Sequence, residues 1–430
     1  MRSHSSSPPY PTVRPRWPAA TIIAVAALAS TAASPRLCAA DHPSPRSVKE
    51  VYLQDRSGSL LTPRAMAATA DAGVIVSGGS SASKQAWAFK LNAANQQEWS
   101  YFRPAPDQER KTVEQGYDPA MFQGIVNMAD GSVFLCASTP FSRGAIPSLF
   151  LTHLDSGGHL LSERPIESNH LRGGRPYNLV SCSAWRDGIA LVAFESHWPP
   201  PDVPGGVAGA SYLVLFFNQA GELQWERAIT PLRNDFIPDP DGMLLTPMPG
   251  GLLVSATNNI DTEIIKLDAG GAIAVQRQLK DIYLPVRGRS PGGAPKLYGS
   301  STRDDSQPHA VLSLNDDLSV ASVVQGPRPK NFAARVVYET ADGSLMLFGA
   351  DIPLRASVRY VAPDLRSESA LPPDLGPSLD FGSIYTACTR NNGREFVYAM
   401  PSRPDGGAWR GEASPNKGET GAVVYSISGR

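Results

Sequence analysis

The sequence predicts an all-β chain: a β-propeller of about seven four-stranded blades, the last of them closed by a strand from the N-terminal end. Three observations predict it. Gly (38) and Pro (39) are scattered between short apolar runs, with hydrophobic residues at 42% of the chain, a mixture that favours many strands and turns over helices. A turn-and-strand unit recurs along the chain, which is the mark of a repeat architecture. The central strand of each unit is a near-continuous apolar run, as expected where both faces of a sheet are covered.

The first forty residues stand apart. Residues 1–16 carry Arg2, Arg14 and Arg16 and no acidic residue, and a small-residue apolar run follows from Ala19 to Ala33. At about fifteen residues this run is short for a bilayer core and ends in small residues suited to signal peptidase. Residues 1–40 are therefore expected to be a signal peptide, cleaved after Ala33 or Ala40, and residues 41–430 a single propeller domain in the periplasm or secreted medium. The alternative is an uncleaved N-terminal anchor.

The repeat then starts at residues 71, 130, 187, 249, 292, 342 and 392, a period of about 50 residues, at or somewhat above the size of a propeller blade. Its turn and first apolar strand read Asp71-Ala-Gly-Val-Ile-Val, Asp130-Gly-Ser-Val-Phe-Leu, Asp187-Gly-Ile-Ala-Leu-Val, Pro249-Gly-Gly-Leu-Leu-Val and Asp342-Gly-Ser-Leu-Met-Leu, with Asn392-Gly-Arg-Glu-Phe-Val closing the series and a degenerate copy at Gly292. A second strand follows each, ending in Lys90-Leu91-Asn92, His153-Leu154-Asp155, Lys266-Leu267-Asp268 or a variant, and a third follows its turn, as at Gln97-Glu-Trp99 and Leu223-Gln-Trp225. With a short strand ahead of the Asp-Gly turn, each unit has four strands joined as a meander. The seventh unit stops at its third strand, Ala422 to Ile427, and Val48 to Leu53 precedes the first unit without a partner. That segment is expected to complete the seventh blade and remove its open edge.

The apolar strand, the Lys-Leu-Asp end and the Asn218-Gln-Ala-Gly221-Glu-Leu-Gln-Trp225 turn resemble secreted propellers of the broad quinoprotein-like (PQQ-like) superfamily. That resemblance covers about residues 45–430 and implies the fold; its members include quinone-dependent dehydrogenases and non-catalytic envelope scaffolds. The docking tryptophan of the family stands only at Trp99 and Trp225, with Ser162, Val275, Ser322 or Ser369 near that position elsewhere. No adjacent cysteine pair or acidic cluster is built to hold a quinone and calcium, so no cofactor is expected.

The net charge of −1 steers the surface towards neither nucleic acid nor anionic membrane. The sequence holds no nucleophile elbow, zinc-protease helix, phosphate loop or dinucleotide fingerprint. His153 reads as a strand residue, and Asp235, Asp239 and Asp241 as a solvated acidic loop lacking calcium-loop spacing. Cys136 sits in an apolar strand as a small hydrophobe; a Cys136–Cys182 disulfide is the open alternative.

Loop lengths are more informative. In a four-stranded meander the first-to-second and third-to-fourth hairpins share one end of the blade, and the remaining connections share the other. Short turns fall in the first class; the long segments 103–121, 167–177, 196–210, 232–244, 281–291 and 401–420 fall in the second. Those segments carry Tyr117, His197, Trp198, Arg233, Phe236, Tyr283, Arg287, Arg289 and Trp409, residue types favoured at protein-binding hot spots, with Pro199, Pro200, Pro201 and Pro204 stiffening one of them. The expected function is a non-catalytic module that binds another protein of the envelope or periplasm, as a scaffold or as an inhibitor or immunity protein against a toxin. The rival is a periplasmic enzyme, a quinone- or metal-dependent oxidoreductase or a glycan or lipid hydrolase, with its site in the central channel.

Overall fold

The computed structural model describes residues 47–428 except 54–60, 81–84, 105–119, 140–148, 171–176, 198–208, 234–235, 237–242, 259–260, 281–286, 290–294, 300–308, 328–331, 340–342, 352–354, 371–387, 392–393 and 400–421. The expected leader, residues 1–40, lies outside them.

Strand β1 (Ser47–Leu53) precedes blade 1, which comprises β2 (Thr62–Ala68), β3 (Val74–Ser80), β4 (Gln85–Leu91) and β5 (Gln97–Phe102). Blade 2 follows as β6 (Met121–Asn127), β7 (Val133–Ser138), β8 (Leu149–Leu154) and β9 (Leu160–Pro165), and blade 3 as β10 (Tyr177–Trp185), β11 (Gly188–His197), β12 (Gly209–Asn218) and β13 (Leu223–Ile229). Blade 4 is β14 (Leu244–Met248), β15 (Gly251–Thr257), β16 (Thr262–Leu267) and β17 (Ile273–Leu279). The fifth unit holds β18 (Arg287–Arg289), β19 (Lys296–Gly299), β20 (His309–Leu314) and β21 (Val320–Gly326); the sixth holds β22 (Phe332–Glu339), β23 (Leu345–Asp351), β24 (Arg355–Val361) and β25 (Glu368–Ala370). The seventh is β26 (Cys388–Asn391), β27 (Arg394–Ala399) and β28 (Ala422–Ser428).

These strands form seven sheets among the described residues, and the repeat starts at 71, 130, 187 and 249 fall on first-to-second turns. β1 joins the seventh sheet, antiparallel to β28, from Ser47 opposite Ser428 to Leu53 opposite Ala422. Val51 and Leu53 then pack with Leu61, Val74, Trp87 and Phe89 of blade 1. The N-terminal strand thus covers the edge that the C-terminal strand would expose. One departure occurs in the degenerate fifth unit: β18 leaves its own sheet and pairs in parallel with β22, Arg287 opposite Val336 and Arg289 opposite Tyr338.

Side-chain alternation explains the continuous apolar runs. On β12, Tyr212, Val214 and Phe216 enter the core shared with blade 4, while Leu213, Leu215 and Phe217 enter the core shared with blade 2. A strand whose two faces meet two neighbouring blades has no solvent side to make polar.

The third-to-fourth turns are built on one plan. Asn92, Asp155, Asn218 and Asp268 each accept, through Oδ1, the N–H groups two and four residues on. The fourth turn residue is left-handed: Gly158 (φ 82), Gly221 (φ 74) and Gly271 (φ 79), but Asn95 (φ 64), Leu318 (φ 61) and Leu365 (φ 58) elsewhere. Its size is matched to the preceding blade. Trp99 lies across Gly158 and Trp225 across Gly271, where an added Cβ would come within 2.6 and 2.5 Å of the indole. Trp99 Nε1 also donates to Ser156 O at 3.1 Å. Where the turn carries buried Leu318, the preceding blade offers Val275 instead, and where it carries Leu365 it offers Val324.

Candidate functional site

Antiparallel meanders send successive connections to alternate ends of a blade. The described third-to-fourth turns and the first-to-second turns of blades 1–4 are short and leave one end of their sheets; by strand order the chain enters its long connections from the other end, after β5, β7, β9, β11, β13, β19, β25 and β27. The asymmetry read from the sequence is a property of the strand order.

Acidic groups hold the roots of these long connections, and Glu195, Asp261 and Glu263 among them are buried. Arg103, the first residue after β5, is 5% exposed and lies over the Phe150 ring at 3.9 Å. Its Nε donates to both oxygens of Glu163 at 3.1 Å, and Thr152 Oγ1 donates to Glu163 Oε2 at 3.1 Å. After β13, the chain is held by Glu263, which is 1% exposed. Its Oε1 accepts from Leu232 N (2.8 Å) and Gln276 Nε2 (2.8 Å), and its Oε2 from Tyr212 OH (3.1 Å). Burial first, and Glu263 second, push the Tyr212 phenol far above its ordinary range. One residue further, Arg233 Nη1 donates to Asp261 Oδ2 at 3.0 Å, which also accepts from Gln278 Nε2 at 2.9 Å. At the base of the β11–β12 hairpin, Ser211 Oγ donates to buried Glu195 Oε2 at 2.8 Å. A carboxylate taken out of water needs several donors to be tolerated, and here the donors come from the residues where the connections leave the sheet.

The expected contact residues divide under this geometry. Arg233 is half-exposed at the root of its connection but committed to Asp261. Phe236 is not a surface contact: at 2% exposure it packs with Trp185, Ile229, Met243 and Leu245 in the core between blades 3 and 4. His197 is the last residue of β11, opposite Gly209, rather than a loop residue, and Arg287 and Arg289 lie on β18 at the inner edge of the ring. Tyr117, Trp198, Tyr283 and Trp409 lie outside the described residues. Leu232, passed over in the sequence, is 54% exposed beside Arg233. The anchoring carboxylates were missed too; their signal was an acid inside an apolar strand end, Ala193-Phe-Glu195 and Asp261-Thr-Glu263-Ile.

Perturbed titratable groups serve packing. Asp71 is raised by burial, yet hydrogen bonds from Lys90, Thr69 and Gly73 N outweigh this and hold it at about 2. His153 stacks on Phe134 at 3.9 Å, with Nε2 3.0 Å from Ser132 Oγ, and burial lowers its pKa. The innermost strands of blades 1–4 present, as half-buried side chains, Arg64, Gln123, Asn127, Ser181, Ser183 and Thr246 among aliphatics. Among the described residues no three metal-binding side chains gather.

No family model matches the sequence, and no curated protein matches it. Solved structures are similar in fold. Polysaccharide lyase Uly1 is 8% identical with a TM-score of 0.50, over 90% of this chain and 99% of that one. The Dos1 propeller is 10% identical with a TM-score of 0.47, over 87% and 80%. The β-propeller domain of the Trilobed protease from Pyrococcus furiosus is 9% identical with a TM-score of 0.43, over 79% and 88%. The chain is a β-propeller.

Proposed function

We propose that the mature chain is an exported, non-catalytic binding module that holds another protein of the envelope or periplasm against its loop-bearing face, as an assembly scaffold or as an inhibitor or immunity protein. The observation that carries this reading is the pairing of one-sided long connections with roots fixed by buried carboxylates. Loops on a rigid frame are where recognition residues concentrate, and a root already ordered loses less entropy when a partner docks. In blades 1–4 the half-buried side chains of the first strands are neutral polar or aliphatic, Arg64 apart, which favours this over an enzyme in the central channel. We also read the blade repeat as kin to the quinoprotein-like superfamily, on the strength of Trp99 and Trp225 docked over the next blade's turn.

Affinity capture from the protein's own envelope extract tests the reading. The wild-type mature chain should retain a discrete partner, and the W198A/W409A variant should lose it while keeping the wild-type melting curve. A quinone absorbance in the purified protein, or capture that W198A/W409A leaves unchanged, would sink it.

A further inference from the structure

Cys136 lies in the middle of β7, fully buried, and its cross-strand partner on β6 is Gly124. A partner side chain would normally stand about 4.5–5.5 Å away, Cβ to Cβ, and cover it. Gly124 has none, and the space is taken from the next blade: the Sγ of Cys182, on β10, lies 2.2 Å from the place a Cβ at Gly124 would take, and its own Cβ lies 3.3 Å from that place. Two register shifts aim this contact, one between Phe122 and Gly124 and one between Leu179 and Ser181, each just ahead of the residue concerned. Bulges on inner strands redirect side chains in this way. The remaining neighbours, Val126, Phe134, Leu151, Leu179 and Leu191, are apolar. Cys136 belongs to this cluster and Cys182 packs against it.

We propose that Cys136 and Cys182 are a disulfide site, joining blade 2 to blade 3 through the core. The inference concerns the fold's own chemistry and stands whether or not the loop-bearing face binds a protein. Cys182 is partly exposed and Cys136 is not, so a low-molecular-weight disulfide reaches Cys182 first. The Cys182 thiolate attacks one sulfur of oxidised glutathione, breaking its S–S bond, forming a mixed disulfide and releasing one glutathione. Cys136, already in contact, loses its proton and attacks the Cys182 sulfur, expelling the second glutathione. Two protein thiols are oxidised, one disulfide is reduced to two thiols, and the two protons end on the two glutathiones. Burial pushes the Cys136 thiol well up, so the second step is the slow one. The closure required is small, because the Cys182 sulfur sits beside the position on β6 that faces Cys136 across the strands, within the reach of disulfide geometry. Gly124 is the enabling residue: any side chain there would expel the sulfur.

The test uses the mature chain purified fully reduced and then incubated with oxidised glutathione. Thiols are counted by alkylation in denaturant, and tryptic peptides are mapped by mass spectrometry without reduction. Two thiols should be lost, and peptides 112–143 and 173–186 should appear linked. Closing a loop of about 46 residues in the unfolded chain should raise the melting midpoint by about 5 °C for a domain of this length. C136A and C182A should each lose the linked peptide and the shift, and C388S should keep both. A lasting glutathione adduct on Cys182 with no linked peptide, or an equal shift in C182A, would overturn the proposal. If C136A folds poorly, C182A alone decides it, since that side chain is not fully buried.

Discussion

Replacing Glu263 by Ala should loosen the frame of the binding face from its root. Three donors converge on that carboxylate: Leu232 N, Gln276 Nε2 and Tyr212 OH. Leu232 and Gln276 lie near the surface and can turn to water, so their loss costs little. Tyr212 is fully buried, and leaving its hydroxyl without an acceptor costs about 1–3 kcal/mol. Removing the side chain adds a cavity term, so about 2–4 kcal/mol is expected in all. E263Q keeps the volume and one acceptor oxygen, so about 1–2 kcal/mol is expected. Equilibrium urea unfolding reads both, provided m is unchanged. Limited proteolysis reads the local consequence, since freeing Leu232 should expose the 232–243 connection to faster cutting. An E263A loss under about 1 kcal/mol, or equal losses for E263A and E263Q, would refute the claim that the carboxylate anchors this root.

Three further outcomes follow from the packing. Gly271→Ala forces a side chain into a left-handed position and within 2.5 Å of Trp225; at about 1–2 kcal/mol for the backbone and about 1–3 for the overlap, urea unfolding should show a loss of about 2–5 kcal/mol. Leu318→Gly relieves the same backbone strain but empties a fully buried site, and the cavity term of about 3–5 kcal/mol wins, so this variant too should be destabilised. His153 binds its proton less readily in the folded state than in the unfolded one, because burial lowers its pKa; its contribution is fully present above the ordinary histidine pKa, about 6.5, and is lost as pH falls below it. Wild-type stability should therefore decline over that interval more steeply than that of H153Q, and parallel profiles would contradict the assignment. Deleting residues 41–56 uncovers β28 and removes Leu53 from the blade 1 core, so the melting midpoint should fall by several degrees, as a loss of a few kcal/mol implies.

The fold was legible because each repeat is marked by turn chemistry, which is local. Asp-Gly and Asx turns announce themselves in the sequence, and the apolar runs between them leave few other architectures. The parallel pairing of β18 was not legible, since Arg287-Gly-Arg289 is too short to carry a period and its partner lies 49 residues on, at Val336. The proposed binding face was legible only as a location. Connection length points to one face, but composition cannot tell an aromatic that faces solvent from one that packs in the core between blades, and Phe236 is the second kind. The acids that fix the roots act through donors brought from other strands, as Tyr212 is to Glu263 across a blade interface, and such pairings carry no sequence spacing.

The most direct test of the binding face is a paired photo-crosslinking measurement in intact envelopes. One photoreactive residue replaces Leu232, 54% exposed at the root of a long connection, and another replaces Ala94, exposed in a short turn at the opposite end of its blade. A discrete adduct from position 232 and none from position 94 is the predicted result. An adduct from position 94 alone, equal labelling at both, or no adduct at 232 would contradict the account.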